Sequence, residues 1–452
     1  MSQSPIQNQW PPFDPSAPHQ QRPKLRPTRG FLAKNGDQTV LGLSDARQIS
    51  EKVVFTIPQA QVLLQFFDGS NTLDDVVNKV GRGLTRQMLE GLVAQLDDAG
   101  LLEGPTFDAM LRKMREDFDS SPTLPPSTTA QFADMLVIQH KKDQNVAEQE
   151  KAELGPVLLR QAMDAWMKQA LEPAKDPSFD SLPRAIIVPH MDYWRGWLNY
   201  ATVYGRMRVV DRPDRVVILG TNHYGQGTGV VGCGKGFESP LGVCEHDDEF
   251  AALVDRRLSP EQRTAYMANR YDHEREHSIE LQIPWIQHIF GEDEIGKHPP
   301  VYAALVHDPL VNNGESYDGT GLGLAPFVDA IREAIAEAPG RTLLVASADL
   351  SHMGQSFGDQ QPFAGEEPGP TAFRKSVMDH DQAMLALIKE GKVDELLATM
   401  AWQQNHTRWC SLGNLTAAMR ITGAAEVRVL NYLATGDMQN QAFVTCMAGA
   451  IL

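Results

Sequence analysis

The sequence is poor in cysteine, in basic charge and in long apolar runs, and each shortage removes a class of function. Four cysteines (Cys233, Cys244, Cys410 and Cys446) in 452 residues cannot build a disulfide framework. None forms a CxxC pair, which argues against a structural zinc knuckle and points to a reducing compartment. Lysine and arginine total 41 against 58 acidic residues, a net charge of −17. That balance argues against a partner gripped through nucleic-acid phosphates. No stretch reaches the ~18 apolar residues of a membrane span. The opening MSQSPIQNQWPPFDPS lacks the basic-then-apolar pattern of a secretion signal. A cytoplasmic chain with no nucleic-acid and no membrane partner is expected.

What remains is an ordinary globular composition, 42% hydrophobic and 22% charged, in a chain long enough for two folded units. Residues 1–30 are rich in Pro, Gln and Arg and predict a disordered arm. Residues 31–104 predict a small, mainly helical domain. IPQAQVLLQFF carries apolar residues at helical spacing, Thr72 stands as an N-cap before Asp74 and Asp75, and Met88 to Leu96 repeats apolar positions up to Gly100. Residues 105–150 predict a polar helix and a Pro/Ser/Thr linker, SSPTLPPSTT. Residues 151–452 change character. RAIIVPH, DRVVILGTNH, VYAALV, RTLLVASAD, EVRVLNY and FVTCMAGAIL are short β-branched runs, several of them separated by helical stretches. This predicts a layered α/β domain with a buried central sheet and a ligand crevice beyond the strands' carboxyl ends.

Two buried strands run straight into a histidine, His190 and His223, which places both side chains at that crevice. YDHEREHSIELQIPW gathers Asp272, His273, Glu276, His277 and Glu280, and on a helix His273, His277 and Glu280 share one face. HEREH lacks the HExxH order of a metalloprotease. Asp349 and His352 follow a further buried strand, and Cys410 stands between a polar loop and an apolar helix.

In order along residues 150–452, PHMDYWRG, ILGTNHYG, SPLGVCEHD, HEREHSIELQIPW, SADLSHMGQSF, RWCSLGNL and VLNYLATGD resemble the Memo family, including the B component of AmmeMemoRadiSam systems. The resemblance implies a fold similar to extradiol ring-cleavage dioxygenases and one metal ion held by His190, His223 and Cys410, with His277 on the open side. Two imidazoles and one anionic ligand suit non-haem Fe(II), and the thiolate also admits copper or zinc. His277 is then the candidate catalytic acid/base. Asp192, His273, Glu276, Asp349 and His352 are expected around the pocket, the last pair orienting ligand imidazoles. PHMDY departs from the family's common PHAGY, so Asp192, Trp194 and Arg195 add charge and bulk beside the first ligand. LGTNHY departs from LGPSHH, leaving only His223 in that loop.

Two functions follow from these residues: metal-dependent, dioxygenase-like redox chemistry on a small organic substrate, or non-enzymatic metal holding with protein partners. A zinc hydrolase ranks third. The N-terminal segments resemble a winged-helix, PqqD-like peptide-recognition module, which implies a protein or peptide partner; an ordinary small helical bundle accounts for them equally.

Overall fold

A computed structural model describes residues 11–452 apart from 37 and 440. The chain divides into two compact units, Met1–Ser121 and Pro122–Leu452.

In the first unit, strands β1 (Thr28–Asn35), β2 (Gln38–Asp45) and β3 (Val54–Thr56) form an antiparallel sheet in that order. Helices follow at Leu73–Val80, Arg86–Asp98 and Pro105–Ser120. A capping box at Thr72 and Asp75 starts the first of these, and Gly100, at φ 65°, follows the second. Leu41, Leu43, Val54, Leu73, Val76, Leu89, Val93 and Leu96 close a core of their own. This unit therefore adds a three-stranded sheet to its helices. Two corrections to the expected organisation arise here. Residues 11–30 are not a free arm: Gln20 is buried and donates to Asp97 at 2.7 Å, and buried Arg26 pairs with Asp45 at 3.2 Å and lies over the Phe107 ring. Their composition offers little apolar surface, but each of these polar groups has a buried partner, and composition cannot display partners. The remainder of the expected arm, residues 1–10, lies outside the described residues.

The expected Pro/Ser linker is also packed structure. Strand β4 (Thr123–Leu124) adds in parallel to β8 (Gly236–Ser239). The backbone N–H groups of Ser127, Thr128 and Thr129 all donate to the Glu280 carboxylate, at 2.7–3.2 Å, at the start of the helix Thr128–Lys141.

The second unit is built on an eight-stranded sheet. Its parallel centre consists of β5 (Ala185–Val188), β6 (Arg215–Thr221), β10 (Val301–Val306) and β11 (Thr342–Ser347), ordered β5-β11-β6-β10. Strand β7 (Val231–Gly232) joins the β10 edge in antiparallel sense. Strand β14 (Ala442–Ile451) runs antiparallel to β5, and β12 (Asp349–Met353) and β13 (Arg428–Asp437) pair with β14. A small hairpin of β8 with β9 (Gly242–Cys244) stands apart. Strands β5 and β6 are buried along their whole length, which explains why they read as continuous apolar runs rather than alternating ones. Because β5, β11 and β6 are parallel neighbours, their carboxyl ends come together at one edge. Among the described residues no helix is long and apolar enough to cross a membrane.

Candidate metal centre

His190 lies two residues past β5 and His223 two residues past β6, so the sheet delivers both to the same edge. Cys410 arrives from a third direction, just before the helix Leu412–Thr422. One donor atom from each of His190, His223 and Cys410 lies within 4.8 Å of the others, although up to 220 positions separate them in sequence. Cys410 Sγ is 3.4 Å from His190 Nε2. The two rings stand nearly perpendicular, 87° apart, with centroids at 4.9 Å.

Each imidazole is turned by a bond to its Nδ1. His190 Nδ1 meets the Ser347 carbonyl, at the end of β11, at 3.2 Å. His223 Nδ1 lies 3.0 Å from Glu276 Oε1, and the His223 backbone N–H donates to Glu276 Oε2 at 2.8 Å. Engaging Nδ1 leaves Nε2 as the nitrogen that each ring could offer a metal ion. Beneath them runs a hydroxyl and amide network. Asn414 Nδ2 donates to the Ser347 carbonyl and to Thr221 Oγ1, Thr221 Oγ1 meets Ser411 Oγ, and Ser411 Oγ lies 3.1 Å from Cys410 Sγ.

The HEREH segment differs from a single helix. A 3-10 turn covers Arg270–Arg275, Glu276 is extended (φ −93°, ψ 117°), and a new short helix covers His277–Glu280. The break sends its side chains three ways. His273 turns inward to the Val231 carbonyl at 3.2 Å and is not part of the cluster, a correction to its expected place in the pocket. Glu280 instead receives the amides of residues 127–129. Glu276 and His277 face the centre, His277 stacking on His223 with centroids at 4.9 Å and its Nδ1 3.3 Å from Glu276 Oε1. A second donor group, His223, Glu276 and His277, therefore overlaps the first. His352 does not orient a ligand ring, as its Nδ1 meets the Leu350 carbonyl at 2.9 Å. Asp349 accepts the His190 backbone N–H at 3.2 Å; its 3.8 Å from His190 Nε2 is too long for a hydrogen bond. Asp192 caps the helix Tyr193–Tyr204 and holds Arg195 Nε at 2.6 Å. No motif points to Ser347, whose backbone carbonyl does the positioning, or to Tyr224, whose ring lies 5.8 Å from His223 and 6.1 Å from His277.

The electrostatics divide the site. Burial, reinforced by His223 and His277, holds His190 well below the ordinary histidine value. Burial also works against charge on His223, but Glu276 and Cys410 outweigh it and raise His223 well above that value. Burial would raise Glu276, yet His223 and His277 hold it far below the usual carboxylate range. Burial lowers His277 against the pull of Glu276. Burial pushes Asp349 up to about 7, while the His190 N–H, His223 and the Arg195 guanidinium pull it down. His352 is lowered by burial to about 4, with His223 and Arg195 adding to the lowering.

Two oriented imidazoles and a cysteine at the carboxyl ends of a parallel sheet define a class: an α/β protein with a donor set that could hold a metal ion. Residues 153–448 match the family of Memo-like proteins, and the chain belongs to that family. A MEMO1 family protein of Desulfurococcus amylolyticus is 29% identical over 289 residues, 62% of this chain and 88% of that protein. Counterparts in Methanopyrus kandleri and Methanothermobacter thermautotrophicus are 28% and 27% identical, each over 63% of this chain and 88% and 91% of the relative.

Proposed function

We propose that the protein holds one metal ion on His190, His223 and Cys410 and carries out redox chemistry on a small organic substrate. The observation that carries this is the paired restraint of the two rings: each Nδ1 is engaged from behind, leaving Nε2 for a ligand shared with Cys410. Fe(II) is the favoured ion, and copper or zinc is compatible with the thiolate. When bound, iron or copper would supply the electron transfer, whereas zinc, having no redox chemistry, would act only as a Lewis acid. The chain supplies the rest. Glu276 strengthens His223 as a donor by holding its Nδ1 proton. His277, about a quarter exposed and kept neutral near pH 7 by burial, accepts a proton from substrate. Ser347 and Asn414 keep His190 from rotating away.

Metal analysis of protein purified without oxygen from its native host tests the first part. One ion per chain is expected, lost in both Cys410→Ser and His190→Ala. Full metal content in both variants overturns the assignment. Oxygen uptake with a panel of catechols and other diols tests the second part. Turnover supports the redox enzyme; silence with metal intact favours the metal-holding alternative.

A further inference from the structure

We propose that Arg195 is the anchor for a carboxylate on the substrate, so that the molecule handled at this centre is an organic acid. The proposal rests on the metal-centre function above and names the substrate class for it.

Arg195 lies in the first turn of the helix Tyr193–Tyr204, which begins three residues after His190. One turn further along the same face, Asn199 donates to Cys446 Sγ at 3.1 Å. Cys446 is the cross-strand partner of Asp349, the residue that accepts the His190 N–H. The face carrying Arg195 and Asn199 therefore lies along the β12–β14 pair. Helical side chains lean toward the helix N-terminus, so Arg195 projects from Asn199's position toward the His190 end. The downward pull of Arg195 on Asp349 and His352 agrees with that placement.

The guanidinium is pre-positioned and only part used. Asp192 Oδ2 takes the Nε proton at 2.6 Å, and Asp192 Oδ1 takes the Arg195 backbone N–H at 3.2 Å. Neither terminal nitrogen hydrogen-bonds any other of the described residues. The side chain is 29% exposed, open enough for a ligand to reach and enclosed enough for its charge to count. Two parallel N–H donors match the two oxygens of a carboxylate, and the adjacent helix N-terminus adds positive potential. Asp192, paired with the same guanidinium, disfavours a phosphate dianion there more than a carboxylate monoanion.

The probes are benzoate, its neutral isostere benzamide, and inorganic phosphate. Each is titrated by calorimetry into the full-length wild type, Arg195→Gln and Arg195→Lys, with metal content measured on the same samples. Benzoate should bind wild type at least tenfold tighter than benzamide or phosphate. Arg195→Gln should weaken benzoate roughly 10–100-fold, the loss of a charge-assisted bidentate pair, with metal content unchanged. Arg195→Lys, keeping the charge but not the fork, should fall between. No benzoate binding to wild type, equal binding of benzamide, tighter binding of phosphate, or benzoate binding indifferent to Arg195→Gln each overturns the proposal. Metal-free wild type that still binds benzoate through Arg195 would overturn the metal assignment alone. Metal-loaded wild type that ignores benzoate would overturn the anchor alone.

Discussion

The two sides of the candidate centre are built from the same residue type by different means. On the inner side His190 is fully buried, and its Nδ1 meets a backbone carbonyl. On the outer side His223 is one-fifth exposed, and its Nδ1 meets a buried carboxylate. A carbonyl fixes the tautomer and the ring plane but adds no net charge. A carboxylate does both and also draws the ring toward the imidazolium form, which is why His223 is raised and His190 lowered. The inner imidazole is thus a rigid neutral donor, and the outer one is more basic and electronically adjustable. Glu276, the larger contributor, and Cys410 together create the asymmetry.

Removing that carboxylate should produce the largest change. Glu276→Gln keeps an acceptor for His223 but loses the charge, and metal affinity should fall ~10–100-fold. Competition with a chromophoric chelator measures this. The inner side lacks an equivalent lever, since its positioning group is main chain. Ser347→Ala leaves the carbonyl in place and removes a hydroxyl that accepts from Gln282 at 2.9 Å, donates to the Ser278 carbonyl and so stands at 3.4 Å from His190 Nδ1 as no more than a marginal partner. A stability loss of roughly 1 kcal/mol with unchanged metal affinity is expected from urea unfolding and chelator competition together. If Ser347→Ala weakens metal as much as Glu276→Gln does, the asymmetry is not electronic.

These contrasts also show what the sequence could disclose. The positions of His190 and His223 were legible because a buried strand has a fixed direction, and a residue just past its end inherits it. Helical spacing puts His273 and Glu280 on the face of His277, but the backbone turns extended at Glu276 and breaks that face. Ser347 was invisible because it acts through its carbonyl, which every residue possesses. Asp381 was equally hidden. It is fully buried, accepting from Ser351, Thr445, Tyr432 and the Trp409 indole, and it braces the residue beside Cys410. Its four donors come from three strands and a loop, and nothing in MDHDQAM announces them. The packed residues 11–30 were missed for the same reason: burial of a polar side chain depends on a partner far along the chain.

His277 offers the smallest expected effect on metal and the sharpest test of which side does chemistry. It shares Glu276 with His223 and stacks on its ring, so it belongs to the outer side, yet it is not among the three residues proposed to hold the ion. Substituting alanine removes a ring that is about a quarter exposed and leaves His223 its carboxylate. Metal content should therefore stay at the wild-type level. Because burial lowers His277 and Glu276 opposes that lowering, its removal leaves Glu276 with His223 as its single imidazole partner, and His223 should hold its proton at least as firmly. Turnover responds differently. A proton acceptor beside the centre contributes ~10²–10⁴-fold, and a loss of that size with metal retained assigns the acid/base role to His277. Unchanged turnover would move that role to another group, with Tyr224, whose ring neighbours both His223 and His277, an alternative. Loss of the metal itself would place His277 among the ligands, and the overlapping His223–Glu276–His277 set would then be the binding site.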